Sequence, residues 1–221
     1  MDGSSYDGEN PKEPIDPTSQ YYDASKSAHV MSYKVKTTWK TFITNVNAIT
    51  SSSTKDDVKL LINTDDLIDA LIASAVVCHG DNWSNNMLYG TWDNQHFSPM
   101  LYDMDITFGM TWDLTNPGYK AGKAYNYDER NEKGSTNFPW LFKMQTILWD
   151  DITARYKELR DCGIISVRNI ISLFEDFSRE VGDDVYKDDT ARWAYPSIGR
   201  VETWLTQRIE NYLDARYSYN K

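Results

Sequence analysis

The chain has 221 residues, 40% of them apolar and 14% aromatic, and carries a formal net charge of -10. That length fits one domain, or one large lobe with a small appendage, and the aromatic content excludes a disordered chain. The acidic balance argues against nucleic-acid binding, which needs a basic surface to displace counterions, and against docking on anionic lipid.

Residues 1–20 are rich in Gly, Ser, Pro, Asp and Glu and read as a flexible tail or linker from an upstream element, with residues 21–221 as the folded part. No apolar run reaches about 18 residues, so no membrane span is expected. The polar, acidic start is unlike a signal peptide, and the compartment stays open. Cys78 and Cys162 have neither a disulfide framework nor metal-ligand spacing and read as two buried small hydrophobes.

From residue 27 to residue 49, Val35, Trp39, Phe42, Ile43, Val46 and Ile49 fall at helical spacing. Thr54 with Asp57 resembles a capping box for a short helix. Thr64 reads as the cap of the next helix, with Asp65 and Asp66 at its positive end. That helix runs through Leu67, Ile68, Leu71, Ile72, Ala75, Val76 and Val77, is apolar almost all round, and leads to His79 and Asp81. Residues 86–89 read as a strand, 90–95 as a turn, and 96–102 as the returning strand, with Pro99 suggesting an edge. Residues 110–136 lack periodicity and read as a functional or mobile loop. Helices then follow: one from Phe138-Pro139, one through Ile152, Tyr156 and Leu159, and one capped by Ser166 carrying Ile170, Ile171, Leu173, Phe174 and Phe177. Residues 182–196 are left unassigned, and a last helix runs from Ile198 to Leu213. The expected fold is mainly α with a small β-hairpin, arranged as the C-terminal helical lobe of an atypical protein-kinase-like fold.

The chemistry concentrates at residues 79–109. Asp81 stands five residues before Asn86, and a hairpin separates them from Asp103, Asp105 and Phe108-Gly109. Phosphoryl transfer on a kinase-like fold needs parts in this order: a carboxylate to take the proton of the attacking hydroxyl, then an amide and a second carboxylate to hold Mg²⁺ on the nucleotide phosphates. The bland alternative for Asp81 and its neighbours is a surface loop of Asx turns, and for Asp103 and Asp105 a capped turn. An Asp-x-Asp pair also serves metal-dependent glycosyltransferases. His79 reads as a catalytic-loop residue that braces the loop by hydrogen bonding, or else as a satisfied structural histidine. His29 and His96 have no partner identifiable in the sequence.

The chain resembles the spore-coat-protein-H-like (CotH) kinase family. The segments that carry the resemblance are Leu67-Ile68-Asp69 leading into 81–89, the stretch 102–109, and 189–193 followed by 204–213; together they span roughly residues 55–215. The resemblance implies an atypical kinase-like fold and ATP- and Mg²⁺-dependent (or Mn²⁺-dependent) phosphorylation. By position it implies Asp81 as the base, Asn86 and Asp103 as metal ligands beside the nucleotide, and Asp105 as an auxiliary ligand or structural partner. The implied partners are a protein substrate or small-molecule acceptor. No strand-rich segment with a well-placed lysine and no Gly-rich loop precedes residue 60. The expectation is therefore a C-terminal lobe that works with an upstream N-terminal lobe and has weak or absent activity by itself. The alternatives are a non-catalytic structural or interaction module of a cell-surface or phage assembly and, third, a metal-dependent glycosyltransferase, which lacks the expected alternating βα pattern.

Overall fold

The helix that is apolar almost all round becomes the axis of the molecule. In the computed structural model, which describes residues 22–23, 28–29, 33–79, 87–104, 107–109, 139–193 and 197–220, this helix is α3 (Thr64–Val77). Leu67, Ile68, Ala70, Leu71, Ile72, Ala75 and Val76 are all buried on it. Burying each large aliphatic side chain contributes about 1.5–3 kcal/mol, so α3 can end only inside the core.

Ahead of α3 lie a two-residue antiparallel pair, β1 (Tyr22–Asp23) and β2 (Ala28–His29), then α1 (Tyr33–Asn47) and α2 (Lys55–Lys59). Thr54 and Asp57 form the expected capping box at α2. The cap of α3 is Asn63, not Thr64: the Asn63 side chain accepts from the backbone N–H groups of Asp65 and Asp66, and Thr64 is the first helical residue. Asn63 is anchored by its own N–H, which donates to the Phe97 carbonyl at 2.8 Å, and that contact chooses the cap over its neighbour.

After α3 the hairpin forms as expected. Strands β3 (Met87–Gly90) and β4 (Ser98–Leu101) pair antiparallel, with Met87 opposite Leu101 and Tyr89 opposite Pro99. A two-stranded ladder leaves each strand an outer edge, where a proline without an N–H is tolerated. The turn is tied by Asp93, whose carboxylate accepts from the backbone N–H groups of Gln95 and His96. His96, without a partner in the sequence reading, bonds the same carboxylate through Nδ1. Tyr89, Phe97, Trp39, Phe42 and Trp140 form one aromatic cluster that packs the hairpin on α1 and on α4 (Pro139–Ile147).

The remaining helices are α5 (Trp149–Asp161), α6 (Val167–Val181), α7 (Asp183–Trp193) and α8 (Ile198–Thr206). Ser166 caps α6, accepting from the Asn169 N–H. Helix α5 packs on α3, and α6 packs on α8. Three expectations are corrected here, and one unassigned stretch is filled in. Residues 183–193, left unassigned, are helical; acidic residues at the start and Arg192 at the end suit the helix dipole, which needs no apolar period. Leu173 and Phe177 of α6 are 62% and 55% exposed, so the buried stripe of that helix is narrower than its apolar pattern. Cys162 is exposed where α5 ends, whereas Cys78 is buried as expected. The last helix does not keep one pitch to its end: α8 passes into a π-helical segment, Gln207–Leu213, and then the short α9 (Asp214–Arg216). Residues 1–20, the 110–136 loop, Asp81, Asn86 and Asp105 lie outside the described residues.

Candidate active site

The site is built on the last turn of α3. A helix end leaves carbonyls without intrahelical partners, and here tertiary contacts meet them. The Ser74 carbonyl takes the N–H of Cys78 and of His79, with Cys78 in the left-handed region at φ 54° closing the helix. The Val77 carbonyl takes the N–H of Phe108 at 2.7 Å. The Ala75 carbonyl takes two N–H groups of Arg208, Nε at 2.9 Å and Nη2 at 2.7 Å. One helix end thus receives the start of the candidate catalytic loop, the end of the candidate metal segment, and a side chain from the π-helical segment.

His79 leaves this end fully buried. Its Nε2 lies 3.0 Å from the carbonyl oxygen of Asp103. A carbonyl only accepts, so Nε2 carries the hydrogen and donates. The other end of the 80–86 segment is Met87, buried and paired with Leu101 two residues before Asp103. Both flanks of the segment that carries Asp81 and Asn86 are therefore tied to residues 101–103.

The candidate metal segment holds unusual backbone. Asp103 and Phe108 have φ of 51° and 52°, and Gly109 has 82°. With Cys78 they make three of the five non-glycine residues of positive φ among the described residues. Such backbone costs about 1–3 kcal/mol per residue and persists where its surroundings enforce it, often at functional sites. The enforcing contacts are visible. His79 holds the Asp103 carbonyl, and Val77 holds the Phe108 N–H. The Phe108 ring packs edge-on against Phe174 and Trp204. A Cβ at Gly109 would lie 2.6 Å from the Trp204 indole nitrogen, so only glycine fits against that ring. The Asp103 side chain itself is exposed. Asp103 and the Asp and Asn residues of the motif offer only oxygen atoms, the donor type that a hard cation such as Mg²⁺ would take.

A groove of about 780 Å³ elsewhere does not compete for the chemistry. It is lined by Lys55, Asp65, Asp69, Asp151 and Arg155, at the N-terminal end of α3. Helix α3 has 14 residues, which puts roughly 20 Å between that groove and the His79 end. Four of its charges are paired, Lys55 with Asp151 and Arg155 with Asp69.

Arg208 and Trp204 support the candidate site; sequence reasoning placed Trp204 on the apolar face of the last helix and gave Arg208 no role. The signal was present: position 208 falls three residues after Leu205 and four before Tyr212, on the apolar stripe of the last helix, where a charge has no reason to be unless it is engaged.

No curated protein matches the chain, and no solved structure does. The family model described as CotH kinase protein matches residues 2–220, nearly the whole length, in a mainly helical chain with one antiparallel hairpin. The chain belongs to the CotH kinase family, a kinase-like family.

Proposed function

We propose that the chain is the catalytic lobe of an ATP- and Mg²⁺-dependent phosphotransferase, with Asp81 as general base, Asn86 and Asp103 as metal ligands, Asp105 as an auxiliary ligand and His79 as the brace of the loop. The observation that carries the reading is the double tie between the 80–86 segment and residues 101–103, through His79 to the Asp103 carbonyl and through Met87 to Leu101. Asn86 is covalently next to Met87, and Asp81 is two residues beyond His79. Their closeness along the chain to these two tied residues is what supports the reading.

In this reading the carboxylate of Asp81 accepts the proton of the attacking hydroxyl as that oxygen bonds to the γ-phosphorus of ATP and the bond to the departing ADP oxygen breaks. Mg²⁺, when bound, would neutralise charge on the nucleotide phosphates. Asn86 and Asp103 hold their oxygens in place for it, and the buried His79 keeps the two segments in register. Positioning is most of what such a site has to supply, because phosphoryl transfer needs little covalent help from the protein. Among the described residues ahead of residue 60, the strands are two residues each. In this reading an upstream N-terminal lobe covers the nucleotide, and the acceptor is a protein or small-molecule hydroxyl.

The test is calorimetric titration of Mg²⁺ and ATP into the protein and into Asp103→Ala. The variant is expected to bind the metal at least tenfold more weakly, with its fold intact by circular dichroism. Equal binding by both would remove Asp103 as a ligand. The absence of binding and phosphate transfer in the protein joined to its nucleotide-covering lobe would favour a non-catalytic interaction module.

A further inference from the structure

We infer that Arg208 is a positioning residue of the candidate site, holding the last turn of α3 so that His79 meets the Asp103 carbonyl; this rests on reading residues 79–105 as the phosphotransfer platform. Arg208 is fully buried. Among the described residues no carboxylate forms an ion pair with it, and its Nη1 has no hydrogen-bond partner. A permanent cation in the interior is tolerated only where negative partners replace water. Its partners here are the Ala75 carbonyl, at the negative end of α3, and the face of the Tyr212 ring, 4.7 Å from the guanidinium carbon.

A fold that needed only packing at this place would be served as well by an apolar side chain of similar volume, because such replacements of buried charge are often neutral or stabilising. What an apolar residue lacks is the fork. Nε and Nη2 converge on one carbonyl oxygen, which fixes the direction of the Ala75 peptide and with it the turn that ends at Cys78 and His79. The three neighbouring carbonyls divide the work. Ser74 holds the loop entrance, Val77 the metal segment, and Ala75 the support behind both.

The π-helical segment explains how one helix reaches both ends of the job. Trp204, one turn before Arg208, lies under Gly109. Asp214, just beyond the segment, faces Arg160 of α5. Its N–H bonds the Ile209 carbonyl five residues back, and each residue added to a helical turn rotates everything downstream by about 100°. The segment lets Arg208 face α3 while Asp214 faces α5. Segments of this kind are frequent at functional sites.

The test uses the full chain with Arg208→Met and Arg208→Lys, and Val58→Ala as a control, since Val58 is buried in α2 away from the His79 end. Urea denaturation is used to compare the variants at equal residual stability. Two measurements follow: native-state amide exchange in peptides covering residues 74–79 and 101–109, and Mn²⁺ affinity by electron paramagnetic resonance. Arg208→Met is expected to speed exchange in those two peptides at least tenfold beyond the control and to weaken Mn²⁺ binding at least tenfold. Arg208→Lys, which keeps the charge and loses the fork, is expected to restore neither. Exchange in Arg208→Met equal to that of the control, or full recovery by Arg208→Lys, overturns the inference. If Arg208→Met does not fold, the same comparison of Arg208→Lys with the control decides. If the unaltered protein binds no Mn²⁺, the phosphotransfer reading fails by itself, and the exchange comparison still decides the role of Arg208.

Discussion

Arg160 and Arg208 are both buried, on helices that pack around the same core, yet their surroundings differ. Arg160 has a complete set of partners. Its Nε and Nη2 fork onto the two carboxylate oxygens of Asp214, each at 2.8 Å, and Nη1 donates to the Ile165 carbonyl at 2.7 Å. Tyr156 donates to the same carboxylate, and the Tyr219 ring lies 5.1 Å from the guanidinium. Arg208 has one carbonyl and one aromatic face. The first arrangement joins α5 to the C-terminal helix and is complete as a structural clamp. The second lies behind the candidate site, at the helix end from which His79 departs. A buried charge whose partners are all supplied by the fold is explained by the fold, whereas one that faces a helix terminus is explained by what that terminus holds.

The comparison breaks most sharply at Asp214. Asp214→Ala strands the Arg160 guanidinium in the interior and is expected to cost about 3–5 kcal/mol, measured by urea denaturation. Mn²⁺ affinity, read on the fraction still folded, should be unchanged, because this clamp does not touch residues 79–109. A loss of affinity at constant folded fraction would show that the two regions are one unit. Gly109→Ala comes next. The new methyl meets the Trp204 indole, and φ of 82° is unfavourable for any side chain, so a cost of about 1–3 kcal/mol is expected. In a Trp204→Ala background the added cost should shrink to the backbone part alone. If it does not, the indole contact is not what selects glycine.

The smallest effect is in acid. Hydrogen bonds from the Thr54 backbone, and then from its side chain, hold the Asp57 carboxyl below its ordinary range; the His96 side chain, and then the N–H groups of Gln95 and His96, do so for Asp93. A folded-state value below the unfolded one, about 3.9, means stabilisation that is present above that pH and lost as pH falls towards the folded value. Urea midpoints measured from pH 5 to pH 2.5 should therefore decline, and Asp57→Asn should make the decline shallower. An unchanged acid limb in that variant would mean that the capping box contributes nothing through its charge. Both carboxylates are at the surface and far from His79, so neither affects the site.

Much of the fold was legible because it is local. The apolar run of α3, the Thr54–Asp57 box and the hairpin each depend on residues within a few positions of one another. The errors fall where a local signal was matched by a distant contact. Thr64 is a good cap by type, but the Asn63 N–H is held by Phe97 from the other strand of the hairpin. Leu173 and Phe177 carry an apolar pattern, yet only the side of α6 turned to Phe108 and α8 is covered. Residues 183–193 form a helix without an apolar stripe, because charge at its ends and packing on α6 replace burial. At the site, the residue types and their order were readable in 79–109; together with 67–69, 189–193 and 204–213 they carried the resemblance, and the match over residues 2–220 shows the family.

By itself the sequence determined which chemical groups are available and in what order the chain presents them: a carboxylate, an amide five residues later, a hairpin, and a second pair of carboxylates. It also placed a charge on the apolar stripe of the last helix, though nothing local says what that charge is for. Tertiary structure alone decided that His79 holds the Asp103 carbonyl, 24 residues away, and that Arg208 holds the Ala75 carbonyl, 133 residues away. The reason is the same in both cases. A helix end must find acceptors and donors for its last groups, and in a buried helix those partners come from whatever the packing brings alongside, which spacing along the chain does not encode.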